Sequence, residues 1–193
     1  LKTGYFSGKS AFDVFSFDLL YGTIDDDFVT PFSISISESL SNKLFGEVNP
    51  VGKIVKYNSE FDFTVKAVFK DLPSNSHLEV DALASIESMG SMTELEKYPY
   101  ESFNRWGCMN YLLLSPNASI PQLEKKLSSL IKEVMNDEKF EFGLQPFGEI
   151  YFDGNRSMDD CKHSNKQTLL ILLSIAIIII VLACVNYINL STS

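Results

Sequence analysis

The sequence predicts an α+β domain that runs into a single membrane-spanning helix. Three observations carry this expectation. None of the 16 basic and 25 acidic residues lies beyond Lys166. Phe61 to Lys70 alternates apolar and polar side chains, the period of a half-buried strand. Residues 119–134 repeat apolar side chains at helical spacing instead.

The averages bound the function classes. The chain has 193 residues, enough for one domain with a core or two small lobes. Its net charge is −9, which argues against a nucleic-acid partner and against electrostatic docking on an anionic membrane surface. A hydrophobic content of 45% excludes a disordered chain, and three cysteines are too few for a disulfide scaffold.

Taken in order, Phe12 to Phe17 is rich in aromatics and Val and predicts a strand. Phe32 to Ile36 alternates cleanly and predicts a second. Ser37 to Phe45 reads as a helix, with Ser37 as cap, Glu38 in the first turn, Leu40 and Leu44 toward the core and Gly46 as the stop. Asn49 to Gly52 is a turn. Lys53 to Tyr57 and Phe61 to Lys70 form paired strands around Asn58-Ser59-Glu60. Phe61, Phe63, Val65, Ala67 and Phe69 point one way and Val68 alone breaks the pattern, so the sheet is expected to have one wet face.

Residues 84–107 are polar and irregular, and no element is assigned to them. Tyr111 to Leu114 predicts a strand. Ser119 and Gln122 have capping-box spacing, Pro121 suits a first turn, and Leu123, Leu127, Leu130, Ile131 and Val134 line one stripe of the following helix. Phe142 to Phe147 and Ile150 to Phe152 return as strand. The expected result is a twisted sheet covered on one side by helices.

Residues 168–185 contain only Thr168 and Ser174 as polar side chains. As a helix this stretch is ~27 Å long, and continuing to Leu190 carries it across the roughly 30 Å bilayer core. Tyr187 suits the membrane interface. Asn186 and Asn189 are three apart and share a helix face, either to bond a neighbouring membrane helix or to lie among headgroups. Arg156, Lys162 and Lys166 precede the span and nothing basic follows it, so the charge count alone would leave the preceding domain in the cytoplasm. Opening at Leu1, the chain is expected to be a piece of a longer protein.

The side chains that could do chemistry are few. No Gly-rich phosphate loop occurs. His77 could serve a neighbouring Ser as base, but capping or exposure is the expected role. His77 and His163 are too few and too far apart for a zinc site. Asp25-Asp26-Asp27 and Asp159-Asp160 lack calcium-loop spacing and read as solvated loops. Cys108 and Cys161 could pair in an oxidising compartment, and Cys184 is an apolar filler within the span. Asn117-Ala118-Ser119 matches a glycosylation sequon but is explained by helix capping. No catalytic, cofactor-binding or metal-ligating residue is expected.

Several stretches together resemble a known family. Ser37 to Gly46, followed by Asn49-Pro50-Val51-Gly52-Lys53, resembles a block of MacB/FtsX-like ABC transporter permeases of the Bacteroides type. Phe61 to Leu78 is similar to the next block, with Ala67 where Gly is commoner. Phe12 to Leu20 and Ala183 to Thr192 resemble the segments before and after. The resemblance implies a two-lobed periplasmic core domain over residues 1–166, its N-terminal part missing. The lobes are a porter-like strand–helix–strand lobe and an inserted sheet lobe. A transmembrane helix over 167–190 and the start of a loop at 191–193 would follow. It places that domain in the periplasm, outside the inner membrane, against the one-sided charge count. It implies a non-enzymatic permease subunit that passes ATP-driven motion to an exported or extracted substrate. Its partners would be a cytoplasmic ABC ATPase subunit, a second permease copy and a periplasmic adaptor or outer-membrane protein. The alternatives are a signalling permease that regulates a cell-wall hydrolase, or a membrane-tethered hydrolase.

Overall fold

The computed structural model describes residues 3–92, 109–135, 143–153 and 162–192, and these fall into two units. The first comprises Leu1–Ser74 and Leu78–Leu144, and the second Asn75–His77 and Gln145–Ser193.

The first unit is built on a mixed six-stranded sheet. Its strands are β1 (Gly4–Ser7), β2 (Leu19–Gly22), β3 (Ser33–Ser37), β4 (Ile54–Tyr57), β5 (Phe61–Phe69) and β6 (Ala82–Ser85). The order is β1-β6-β3-β5-β2, and β4 also pairs with β5. β1 runs parallel to β6 and β3 parallel to β5, while β6 is antiparallel to β3, and β2 and β4 are antiparallel to β5. The β4–β5 hairpin has the expected register, Tyr57 opposite Phe61 and Ile54 opposite Thr64. Asn58 and Ser59 both take positive φ in its turn, a conformation Asn tolerates better than most residues.

The sheet has no wet face at its centre. All five residues of β3 are buried. One face packs Ile34, Ile36, Phe63, Val65, Val68, Ala82 and Ala84 with Leu40 and Met92. The other packs Phe69, Leu78, Val80 and Leu83 against Tyr5, Phe12, Phe15, Phe17, Leu72 and Tyr111. The alternation along β5 breaks because Lys66 is an extra residue: Ile34 pairs with Val65 but Ser35 pairs with Ala67. This bulge moves Ala67 and Phe69 to the second face and returns Val68 to the first. Val68 is therefore in phase, and the break lies at Lys66, two residues earlier than the side-chain pattern shows.

The second face accepts its cover because β3 is Ser-rich. Ser33, Ser35 and Ser37 are small, and each hydroxyl is satisfied. Ser33 Oγ lies 2.8 Å from Thr30 Oγ1, Ser35 Oγ donates to Ala67 O at 3.2 Å, and Ser37 Oγ accepts from Leu40 N at 3.2 Å. Phe12 to Phe17, expected as a strand, instead enters helix α1 (Ser10–Val14) and then runs extended. Helical spacing puts Phe12 and Phe15 on one side, where they join Phe17 and Phe28. Phe12 meets Phe28 edge-on at 5.1 Å, and Phe17 lies 5.1 Å from Phe69. A one-turn 3-10 segment, Asp26–Val29, follows β2.

Helix α2 (Glu38–Phe45) is capped by Ser37 and ends at Gly46 with φ +69°, as the sequence indicates. Leu40 is buried and Phe45 packs against the same cluster, while Leu44 is 48% exposed. Ser39 N donates to Asp71 Oδ1 at 3.0 Å, and its hydroxyl bonds the same carboxylate. Gly22, φ +76°, is required where β2 meets the bulge: a Cβ there would lie 2.1 Å from the Lys66 carbonyl oxygen. A short helix α3 (Ser88–Ser91) follows β6, and Ser88 Oγ accepts from Phe32 N at 2.8 Å.

Tyr111 to Leu114, expected as a strand, joins no ladder among the described residues. Helix α4 (Ile120–Met135) forms as expected, with Leu123, Leu127 and Ile131 half-buried and Leu130 and Val134 exposed. Glu124 Oε1 accepts from Leu144 N at 2.8 Å. Residues 147–152 are not strand: Phe147–Ile150 is a one-turn helix, α5, starting after Pro146, and Tyr151-Phe152 continue as a turn. Pro146 and Gly148 interrupt the β-favouring residues there.

Candidate functional site: the apolar helix and its base

The second unit is dominated by α6 (Lys166–Ser191), 26 residues long. Its most apolar 18-residue stretch has a mean hydropathy of 3.3, and none of that stretch is buried by protein. At ~1.5 Å per residue it is ~39 Å long, more than the roughly 30 Å of a bilayer core. In water such a surface would be prohibitive, since apolar area costs about 25 cal/mol per Å² to leave wet. Backbone hydrogen bonds are internal to a helix, so lipid is the solvent that suits it. Ser174 Oγ, a polar group within the run, is satisfied by Leu170 O at 2.8 Å. Asn186, Tyr187 and Asn189 lie in its last two turns, and Cys184 just before them.

The helix starts from a bonded base. Asn165 caps it, its Oδ1 accepting from Gln167 N at 2.8 Å and Thr168 N at 3.4 Å. The residues just before the cap are pinned by backbone bonds. Lys162 N donates to His77 O at 2.7 Å, and Ser164 N to Tyr151 O at 2.7 Å. His163 Nδ1 lies 2.9 Å from Ile150 O. Gln145 Nε2 donates to Asp153 Oδ2 at 2.9 Å across the α5 turn. Three segments distant in sequence (75–77, 145–153 and 162–165) thus meet at the foot of one helix. Sequence reasoning did not find this base, because its strongest bonds are main-chain ones with no side-chain signature.

His77 is buried rather than exposed, and its ring meets Phe147 edge-on at 4.7 Å. Its place is packing at the base of α6. In the Asp25-Asp26-Asp27 loop, Asp26 Oδ1 accepts from Lys9 Nζ at 2.7 Å. That hydrogen bond and the lysine charge hold the Asp26 carboxyl below its usual range and raise Lys9. Thr23 Oγ1 lies 3.4 Å from Asp25 Oδ2. Among the described residues no three His, Cys, Asp or Glu side chains group as metal ligands. Ser119 precedes α4, its carbonyl accepting from Leu123 N at 3.0 Å. Cys108, Cys161 and Asp159-Asp160 lie outside the described residues.

A mixed sheet with two buried faces defines an α+β domain, and the same chain carries one helix long and apolar enough to cross a membrane. The comparisons give the family. The model of the MacB-like periplasmic core domain matches residues 2–130, and the chain belongs to that family. A domain of a protein described as a permease from Porphyromonas gingivalis is 27% identical, with a TM-score of 0.57 over 75% of this chain and 65% of that one. The periplasmic region of MacB from Actinobacillus actinomycetemcomitans has the same fold at 20% identity, with a TM-score of 0.50 over 70% of this chain and 58% of that one. The chain thus spans less than two thirds of either structure. No curated protein matches it. The family is a component of ABC transporter permeases.

Proposed function

We propose that the chain is the periplasmic core domain and following transmembrane helix of an ABC permease subunit, and that it works by mechanotransmission. One observation carries the reading: a MacB-like core domain over residues 2–130 shares a chain with a 26-residue helix that no protein covers. The boundaries follow, with residues 1–166 in the periplasm, 167–190 across the inner membrane and 191–193 beginning the next loop. ATP is bound and hydrolysed by a cytoplasmic ABC ATPase. Its motion enters through the membrane helices and moves the outer domain, which hands on or extracts a substrate without chemistry of its own. The hydrogen-bonded base of α6 suits this role, because a helix tied at its foot by several main-chain bonds transmits displacement instead of swivelling. Asn186 and Asn189 face a neighbouring membrane helix, where paired amides are worth up to about 1–2 kcal/mol. The partners are a second permease copy and a periplasmic adaptor or outer-membrane protein. Leu113, 78% exposed, is one side chain of the outer domain open to such a contact.

The test uses the complete permease with its ATPase in lipid vesicles, spin-labelled at Glu60→Cys on the β4–β5 turn. Binding of a non-hydrolysable nucleotide is expected to shift the label-to-label distance across the permease dimer. An unchanged distance with nucleotide bound would remove mechanotransmission.

A further inference from the structure

The α5 turn presents aromatic side chains outward at the foot of a helix built for lipid. Phe147 is 55% exposed and Phe152 44%, although both touch aromatic rings: His77 meets Phe147 edge-on, and Tyr151 lies 5.2 Å from Phe152. Such exposure is unremarkable for one residue but not for two within six positions on a short turn.

The position of the turn identifies what they meet. Ser164 is bonded to Tyr151 O, and the His163 ring contacts Ile150 O. Helix α6 starts only two residues after Ser164, at most ~7 Å of chain. Its first apolar residue, Leu169, is three positions further, ~4.5 Å along the helix axis. The headgroup layer on each side of a bilayer is roughly 5–8 Å thick, half the difference between its total and hydrocarbon thickness. An aromatic ring projecting from residues 147–152 is therefore within reach of that layer once α6 is in place. Lys166, exposed at the head of the helix, supplies the cationic partner for lipid phosphates that usually flanks a span. Glu149 is exposed on the same turn, and Asp153 is bonded to Gln145 beside it. These carboxylates belong on the water side and keep the contact shallow.

We infer that the α5 turn is a membrane-interface anchor, with Phe147 and Phe152 resting in the headgroup layer of the bilayer that α6 crosses. The inference rests on α6 being a span, and goes beyond it by assigning lipid contact to a segment outside the helix. Its consequence is mechanical: the base of α6 would be held at a fixed depth, so that tilting of the helix turns the base instead of letting it bob.

The experiment is depth-dependent fluorescence quenching of the full chain in phosphatidylcholine vesicles. Trp106→Phe removes the native tryptophan, and single reporters are placed at Phe147→Trp, Phe152→Trp or Ile178→Trp. The lipids carry bromines either near the headgroups or deep in the acyl chains. The Phe147→Trp and Phe152→Trp reporters are expected to blue-shift and to be quenched by the shallow bromines, and Ile178→Trp by the deep ones. Quenching of Ile178→Trp with none at positions 147 and 152 would overturn the anchor and leave the span intact. Absence of quenching at all three would remove the span and the anchor with it.

Discussion

The sheet unit and the helix unit treat their apolar side chains in opposite ways. In the sheet unit Phe63, Val65 and Phe69 are shut away by the chain's own side chains, on both faces of one sheet. In the helix unit no residue of α6 is buried, although it is the most apolar segment of the chain. The contrast teaches that hydrophobicity alone does not make a core. A stripe or an alternating strand has a direction to bury, whereas a helix apolar all round has none and needs a surrounding medium.

Substitutions should separate the two regimes. Phe63→Ala is expected to cost the sheet unit about 3–5 kcal/mol, through lost burial and the cavity left behind. Chemical denaturation of the full chain in detergent, followed by near-UV circular dichroism, would measure it. Ile178→Lys reverses the pattern. A lysine at mid-span costs about 2.5–3.5 kcal/mol of insertion free energy while the sheet unit's denaturation midpoint stays put. A membrane-insertion assay beside the same denaturation curve reads both. An Ile178→Lys chain that loses its sheet as well would break the separation.

Smaller changes sharpen it. Ser37→Ala removes the cap of α2 and leaves Leu40 N unbonded, for about 1 kcal/mol on the sheet unit only. The Lys9–Asp26 pair is exposed, so Lys9→Ala should change stability little, and less still at high salt. What it does contribute has a definite sign. Asp26 is held low, so its share is present above the usual carboxylate range and fades as pH falls through the lowered value. Lys9 is held high, so its share is present below its ordinary value of 10.5 and is lost as pH rises beyond the raised one. A pH series of denaturation midpoints for Lys9→Ala against the parent checks both arms.

The sequence was legible where one periodicity dominated. The β4–β5 hairpin, α2 with its Ser37 and Gly46 boundaries, α4 and the apolar helix α6 all follow from local pattern. It misled where tertiary contacts decide. Phe12, Phe15 and Phe17 have strand propensity, yet they roof a face that small serines make shallow enough to receive them. The expected wet face vanished for the same reason: buried Ser33, Ser35 and Ser37 look polar in a pattern but are satisfied by Thr30, Ala67 and Leu40. A bulge at Lys66 switches faces without any Gly or Pro to announce it. At the functional end, the apolar helix was plain and the base that holds it was hidden, being made of bonds to the main-chain carbonyls of His77, Ile150 and Tyr151.

The central claim, that the sheet unit stands outside the membrane that α6 crosses, is tested most directly by thiol accessibility at Glu60→Cys. The full-length protein would have its three native cysteines replaced and be labelled in cells with a membrane-impermeant reagent. Labelling once the outer membrane is opened, before the inner membrane is broken, is the expected result. Labelling only after cell lysis would place the domain in the cytoplasm and contradict the account.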